Sequence, residues 1–191
     1  MKTVAIIEGF FGGPLHTTKF RQALRSAGYQ ITKNRRKADV IIAHSAGIYA
    51  IPDNAKADLV ILIGPTYWPG KRLTKRVAQH ARTSKRYHVK EFGWPFYLKK
   101  ELLGLYYFFR RHKYMWLGVL NNNRLERIEK LVDSPGRKTI IIRNADDSFT
   151  SPDYQKAIKR SGIKFVDLPG VHDHFAMNPE PYIDLIREAY N

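Results

Sequence analysis

Five short runs, apolar almost throughout, constrain this chain most: Val4 to Ile7, Asp39 to Ala43, Leu59 to Ile63, Ile140 to Ile142 and Ile163 to Val166. Each is too short for a stable helix and rich in β-branched residues. Strands covered on both faces read this way, as continuous apolar runs rather than alternating ones. Helical patterns lie between them, at Thr17 to Ala27, Leu125 to Val132, Pro152 to Ile158 and Pro181 to Tyr190. In the first, Phe20, Ala23, Leu24 and Ala27 share a face, Thr17 or Thr18 stands at the cap position, and Gly28 stops the helix. Tyr29 to Thr32 fits a short edge strand. The alternation predicts a three-layer α/β/α domain with a mainly parallel sheet of about five to six strands. The 191 residues suffice for one such domain, spanning 1–191.

One interval does not fit a simple crossover. Between Gly64 and Lys138 the chain carries Trp94, Phe96, Tyr97, Tyr106, Phe109 and Trp116 among many basic residues, and Leu102 to Phe109 is apolar at nearly every position. Residues 68–120 are expected to form a helical excursion between the third and fourth central strands. It would be packed on the sheet, set as a cap over a site, or turned to a membrane surface through its aromatic and basic side chains. As a cap, the part from Trp94 to Trp116 would select apolar acyl groups.

In open parallel sheets, chemistry collects at the carboxyl ends of the strands. Glu8-Gly9-Phe10-Phe11-Gly12-Gly13 follows the first strand, and His44-Ser45-Ala46-Gly47 follows the second. Asn144-Ala145-Asp146-Asp147 follows the fourth, and Gly170-Val171-His172-Asp173-His174 the fifth. A glycine-rich turn, a serine, an acid and a histidine thus emerge at one edge. A serine hydroxyl becomes a nucleophile when a neutral imidazole takes its proton and a carboxylate holds that imidazole. The oxyanion that forms needs backbone N–H donors already in place. His44 reads as a packing residue beside Ser45.

Val40-Ile41-Ile42-Ala43-His44-Ser45-Ala46-Gly47 resembles the nucleophile elbow of the α/β-hydrolase family, with Ala43 where the first glycine of G-x-S-x-G usually stands. The order serine, acid, histidine is that family's order. The resemblance implies a reduced α/β-hydrolase fold and a serine hydrolase that cleaves an ester, thioester or amide through an acyl-enzyme. Ser45 would attack, His172 would relay the proton, and Asp147 would orient His172; Asp146 and His174 are the alternatives. The Glu8 to Gly13 loop resembles the family's oxyanion loop, with Glu8 where histidine is common. It would place the Phe10 amide, with Phe11 in reserve, beside the Ala46 amide. Asn144 stands where the family's G-x-x-D strand end has glycine. Phe11, Tyr67, Trp68 and Phe149 would line the acyl pocket.

No cofactor is implied, and His172, Asp173 and His174 make too thin a set to predict a metal. Without cysteine the chain has no disulfide framework, thiol nucleophile or cysteine-ligated metal. Lys and Arg total 33 against 17 acids, a net charge of +16. That balance suits nonspecific contact with a polyanion or an anionic membrane, although the basic clusters sit in no nucleic-acid motif. The alternative to an enzyme is therefore a catalytically silent hydrolase-like module whose basic surface docks nucleic acid or another polyanion. Met1 to Glu8 has no leader pattern, so a cytoplasmic protein acting on a small acyl substrate is expected.

Overall fold

The computed structural model describes residues 1–9, 12–66, 73–120, 128–131, 136–150 and 163–190. Six strands form one sheet: β1 (Thr3–Ile7), β2 (Gln30–Thr32), β3 (Val40–His44), β4 (Leu59–Ile63), β5 (Lys138–Asn144) and β6 (Ile163–Leu168). Their order is β2-β1-β3-β4-β5-β6 and every pairing is parallel. From β1 the chain crosses outward to β2, then returns to the other side of β1 as β3. The direction of winding reverses there, which opens a crevice at the carboxyl ends of β1 and β3.

Side chains leave alternate faces of each strand and make two cores. On one face, Val4, Ile6, Val40, Ile42, Leu59, Ile61, Ile140 and Ile142 pack against Phe20 and Leu24 of α1 (Thr18–Ser26) and Tyr182, Ile183 and Ile186 of α3 (Glu180–Tyr190). On the other, Ala5, Ile7, Ile41, Ala43, Val60, Leu62 and Ile141 meet Ile48, Ile51, Ile128 and Leu131. This is the predicted three-layer arrangement. The expected helix at 125–132 is described only at 128–131, which are helical, and the one at 152–158 lies outside the described residues.

Two local features add detail. Thr17 is the N-cap of α1, but its hydroxyl makes no capping bond and lies 3.2 Å from Glu8 Oε1 instead. Buried Glu8 also pairs with Arg21, so the end of β1 is tied to α1. The segment after Ser45 is a short 3₁₀ turn, Ser45–Ala50. Pro52 explains this, because it forces the residue before it out of helical geometry; Ile51 is extended at φ −72°, ψ 124°.

The excursion is α2 (Leu73–Leu120), bent at Gly93, where φ is 81°. Pro95 stands at the start of the second arm, where a missing N–H costs nothing. Both arms rest on the carboxyl edge of the sheet.

Candidate active site at the carboxyl edge

Ser45 is the first residue after β3 and has φ 55°. Among the described residues it is the only non-glycine with positive φ. For an L-residue this conformation is unfavourable and marks a tight turn held by its surroundings. Two close approaches hold it. A Cβ on Gly47 would lie 2.4 Å from the Ile7 carbonyl oxygen, so the turn presses directly on the end of β1. A Cβ on Gly9 would lie 2.8 Å from Ser45 Cβ, so the loop after β1 reaches the serine itself. Ala43, in place of the usual glycine, is fully buried between Ile7 and Leu62 in the ladder.

His172 and Asp147 meet. His172 Nδ1 lies 2.8 Å from Asp147 Oδ2, with both side chains buried. A carboxylate can only accept, so the proton belongs on Nδ1, leaving Nε2 of a neutral ring as an acceptor. Asp147 also accepts from the Phe149 amide at 2.7 Å and the Thr150 hydroxyl at 2.9 Å. Burial pushes its carboxyl up, but the charge of His172 and these hydrogen bonds outweigh burial and hold it below the usual carboxylate range. Gly64 leaves room for the pair. It has φ 53°, and a Cβ there would lie 2.8 Å from Asp147 Oδ2 and 3.0 Å from His172 Nδ1. The two alternatives are placed elsewhere: Asp146 is exposed, and His174 Nδ1 is 2.8 Å from the Tyr87 hydroxyl.

Ser45 and His172 are neighbours through His44 and are not hydrogen-bonded to each other. The His44 and His172 rings lie 4.5 Å apart, and His44 Nε2–H donates to the His172 carbonyl at 3.0 Å. Burial, reinforced by the nearby charge of His172, lowers the His44 pKa to about 3, so this ring stays neutral. Ala46 is buried in the first turn after Ser45, and the Phe149 ring lies 5.1 Å from that of His172. Phe10, Phe11, Tyr67 and Trp68 lie outside the described residues.

No protein-family model matches the sequence, and no curated protein sequence does either. Solved structures do match. A thioesterase domain from the curacin biosynthetic pathway aligns over 98% of this chain and 91% of its own, with TM-score 0.62 at 13% identity. A thermophilic esterase from Thermogutta terrifontis aligns over 100% and 89%, with TM-score 0.56 at 17% identity. A hydrolase from Oleispira antarctica aligns over 100% and 92%, with TM-score 0.57 at 14% identity. The chain has the α/β-hydrolase fold.

On this α/β-hydrolase scaffold, several side chains around the pair had no role read for them in the sequence. Asn144 Nδ2 donates to the carbonyls of Val171 at 2.8 Å and His172 at 3.3 Å, and its Oδ1 accepts from the Tyr182 hydroxyl at 2.6 Å. The residue in the glycine position thus clamps the histidine loop. His80 of α2 lies edge-on to His172 at 5.6 Å and against Phe149 at 4.6 Å; burial lowers its pKa to about 4. Asp173 meets Lys100 Nζ at 3.0 Å and His88 Nε2 at 3.5 Å, so one carboxylate ties both arms of α2 to the loop that carries His172. Burial pushes Asp173 up, but Lys100, His88 and His80 outweigh it and hold it well below the usual carboxylate range. Tyr107, on the second arm, covers Gly13 of the loop after β1. Trp94 and Phe109, at 50% and 69% exposure, lie on the outer face of that arm. Among the described residues no group of three or more His, Asp or Glu is arranged to hold a metal ion.

Proposed function

We propose that the chain is a serine hydrolase that cleaves an ester, thioester or amide through an acyl-enzyme. The observation that carries this reading is the buried His172–Asp147 pair beside a serine at positive φ, all at one edge of the sheet. Ser45 Oγ attacks the carbonyl carbon while His172 Nε2 takes its proton. Asp147 keeps His172 in the tautomer that can accept and stabilises the imidazolium. The alkoxide, thiolate or amine leaves with that proton. Water then attacks the acyl-enzyme, His172 again accepting and returning a proton, and Ser45 is restored. Resting sites often hold these contacts loosely and tighten them around substrate, so the unmade Ser45–His172 hydrogen bond is compatible with the role.

The Ala46 and Phe10 amides are the proposed oxyanion donors, because Ala46 follows Ser45 and Gly9, just before Phe10, touches it. Phe149 against His172, together with Phe11, Tyr67 and Trp68, is proposed to line the acyl pocket. The first arm of α2, with His80 beside His172, is proposed to cap that pocket and shield the acyl-enzyme from stray water.

Hydrolysis of p-nitrophenyl acetate tests the assignment. His172→Ala and Asp147→Asn should each lower kcat by roughly 10⁴-fold. His174→Ala should change it far less. If His174→Ala proves the more damaging substitution, the catalytic roles given to the pair are wrong.

A further inference from the structure

The second arm of α2 turns an apolar stripe to solvent. Trp94, Leu98, Leu102, Leu105 and Phe109 are 50%, 55%, 68%, 49% and 69% exposed. At about 100° per residue they fall within an arc of roughly 80°, and at 1.5 Å per residue the stripe runs for about 22 Å. The opposite side of the same arm faces the protein through Lys100, Gly104 and Tyr107. The stripe is therefore not the helix's core face but a second, solvent-facing apolar face, and among the described residues Lys85 of the first arm reaches it, with Nζ 4.8 Å from the Trp94 ring. Its area is on the order of 600 Å², at the upper end of what monomers leave exposed.

One flank of the stripe is basic. Exposed Lys99 and Arg110 project at its side, and the whole chain carries +16. Large apolar side chains bordered by Lys and Arg suit an anionic lipid interface, where the rings and leucines enter the acyl boundary and the cations meet lipid phosphates. No helix among the described residues is long and apolar enough to cross a membrane, so the fitting contact is lateral. A second copy fits less well. The area falls short of the roughly 800 Å² per partner that stable pairs bury, and two strongly basic chains would repel. A nucleic acid would engage the cations and stack on Trp94 and Phe109, but has no use for the exposed Leu98, Leu102 and Leu105.

We propose that the outer face of the second arm of α2 docks this protein on bilayers containing anionic lipid. The proposal is independent of the catalytic reading, because none of these residues touches the His172–Asp147 pair.

Co-sedimentation with vesicles tests it, using phosphatidylcholine alone and an equal mixture of phosphatidylcholine and phosphatidylglycerol. The intact chain should bind the mixed vesicles at least tenfold more tightly than the neutral ones. Leu102→Glu with Phe109→Glu should reduce that binding by more than about tenfold. Lys99→Glu with Arg110→Glu should reduce it roughly tenfold, as should raised salt. Both double variants alter exposed positions and should keep the parent melting curve. The proposal is overturned by equal binding to neutral vesicles, by no binding, or by mixed-vesicle binding indifferent to Leu102→Glu with Phe109→Glu, which would mean diffuse polyanion attraction. It is also overturned if light scattering shows a dimer that this variant dissolves, since the stripe would then belong to a second copy.

Discussion

Replacing His44 by phenylalanine should flatten the dependence of stability on pH. The His44 ring is buried against His172 and Phe175, and its pKa is lowered to about 3, first by desolvation and then by the charge of His172. In the unfolded chain the same ring titrates near 6.5. Its folded pKa lies below its unfolded one, so the unfolded state binds a proton that the native state refuses. The stabilisation is complete above about pH 6.5 and is lost as pH falls. From a shift of this size, one group costs about 2 kcal/mol between pH 7 and pH 5. Phenylalanine keeps the ring packing and removes the titration. It also removes one hydrogen bond to the His172 carbonyl, which lowers stability at every pH by about 1 kcal/mol without a slope. Urea unfolding followed by circular dichroism at pH 7 and pH 5 separates these effects. Both proteins should weaken on acidification, because His80 and His88 are depressed too. The variant should lose about 2 kcal/mol less. Equal losses would refute the account of His44 as a buried neutral ring.

Gly64→Ala places a methyl against the Asp147–His172 hydrogen bond at a backbone φ of 53°. It should cost about 1–2 kcal/mol in a thermal melt and lower ester hydrolysis more than tenfold, whereas unchanged turnover would show that the pair is not needed. Lys100→Met leaves Asp173 without its closest cation and should destabilise the fold by about 3 kcal/mol. Adding Asp173→Asn should recover much of that loss, and strict additivity in the double-mutant cycle would contradict the ion pair.

The parallel sheet was legible because its four inner strands, β1, β3, β4 and β5, are buried on both faces, which removes the polar alternation that blurs exposed strands. The candidate residues Ser45, Asp147 and His172 were legible for a related reason: each follows the carboxyl end of a strand, β3, β5 or the edge strand β6, where a break in the apolar run marks the position. The same logic could not choose between His172 and His174, two residues apart in one loop. The family resemblance favoured His172, and in the structure it is His172 that meets Asp147, 25 positions away in sequence. Asn144 was noticed only as a missing glycine. Its clamp on the Val171 and His172 carbonyls depends on a loop 27 and 28 residues downstream. His80, His88 and Lys100 had no signal, since a histidine or lysine on a helix reads as solvated until the partner carboxylate is located. The long excursion misled in one respect. Its aromatic content suggested a lining for an acyl pocket, but among the described side chains of the second arm Trp94, Tyr106 and Phe109 face outward, while Lys100, Gly104 and Tyr107 meet the body.

The central claim is that Ser45 is an activated nucleophile. Its most direct test is treatment of the intact protein with a fluorophosphonate, followed by mass spectrometry of the whole chain and of its peptides. The account predicts one adduct, on Ser45, that is lost in Ser45→Ala and strongly slowed in His172→Ala. An adduct that persists in Ser45→Ala, or an unlabelled wild-type protein, would contradict it.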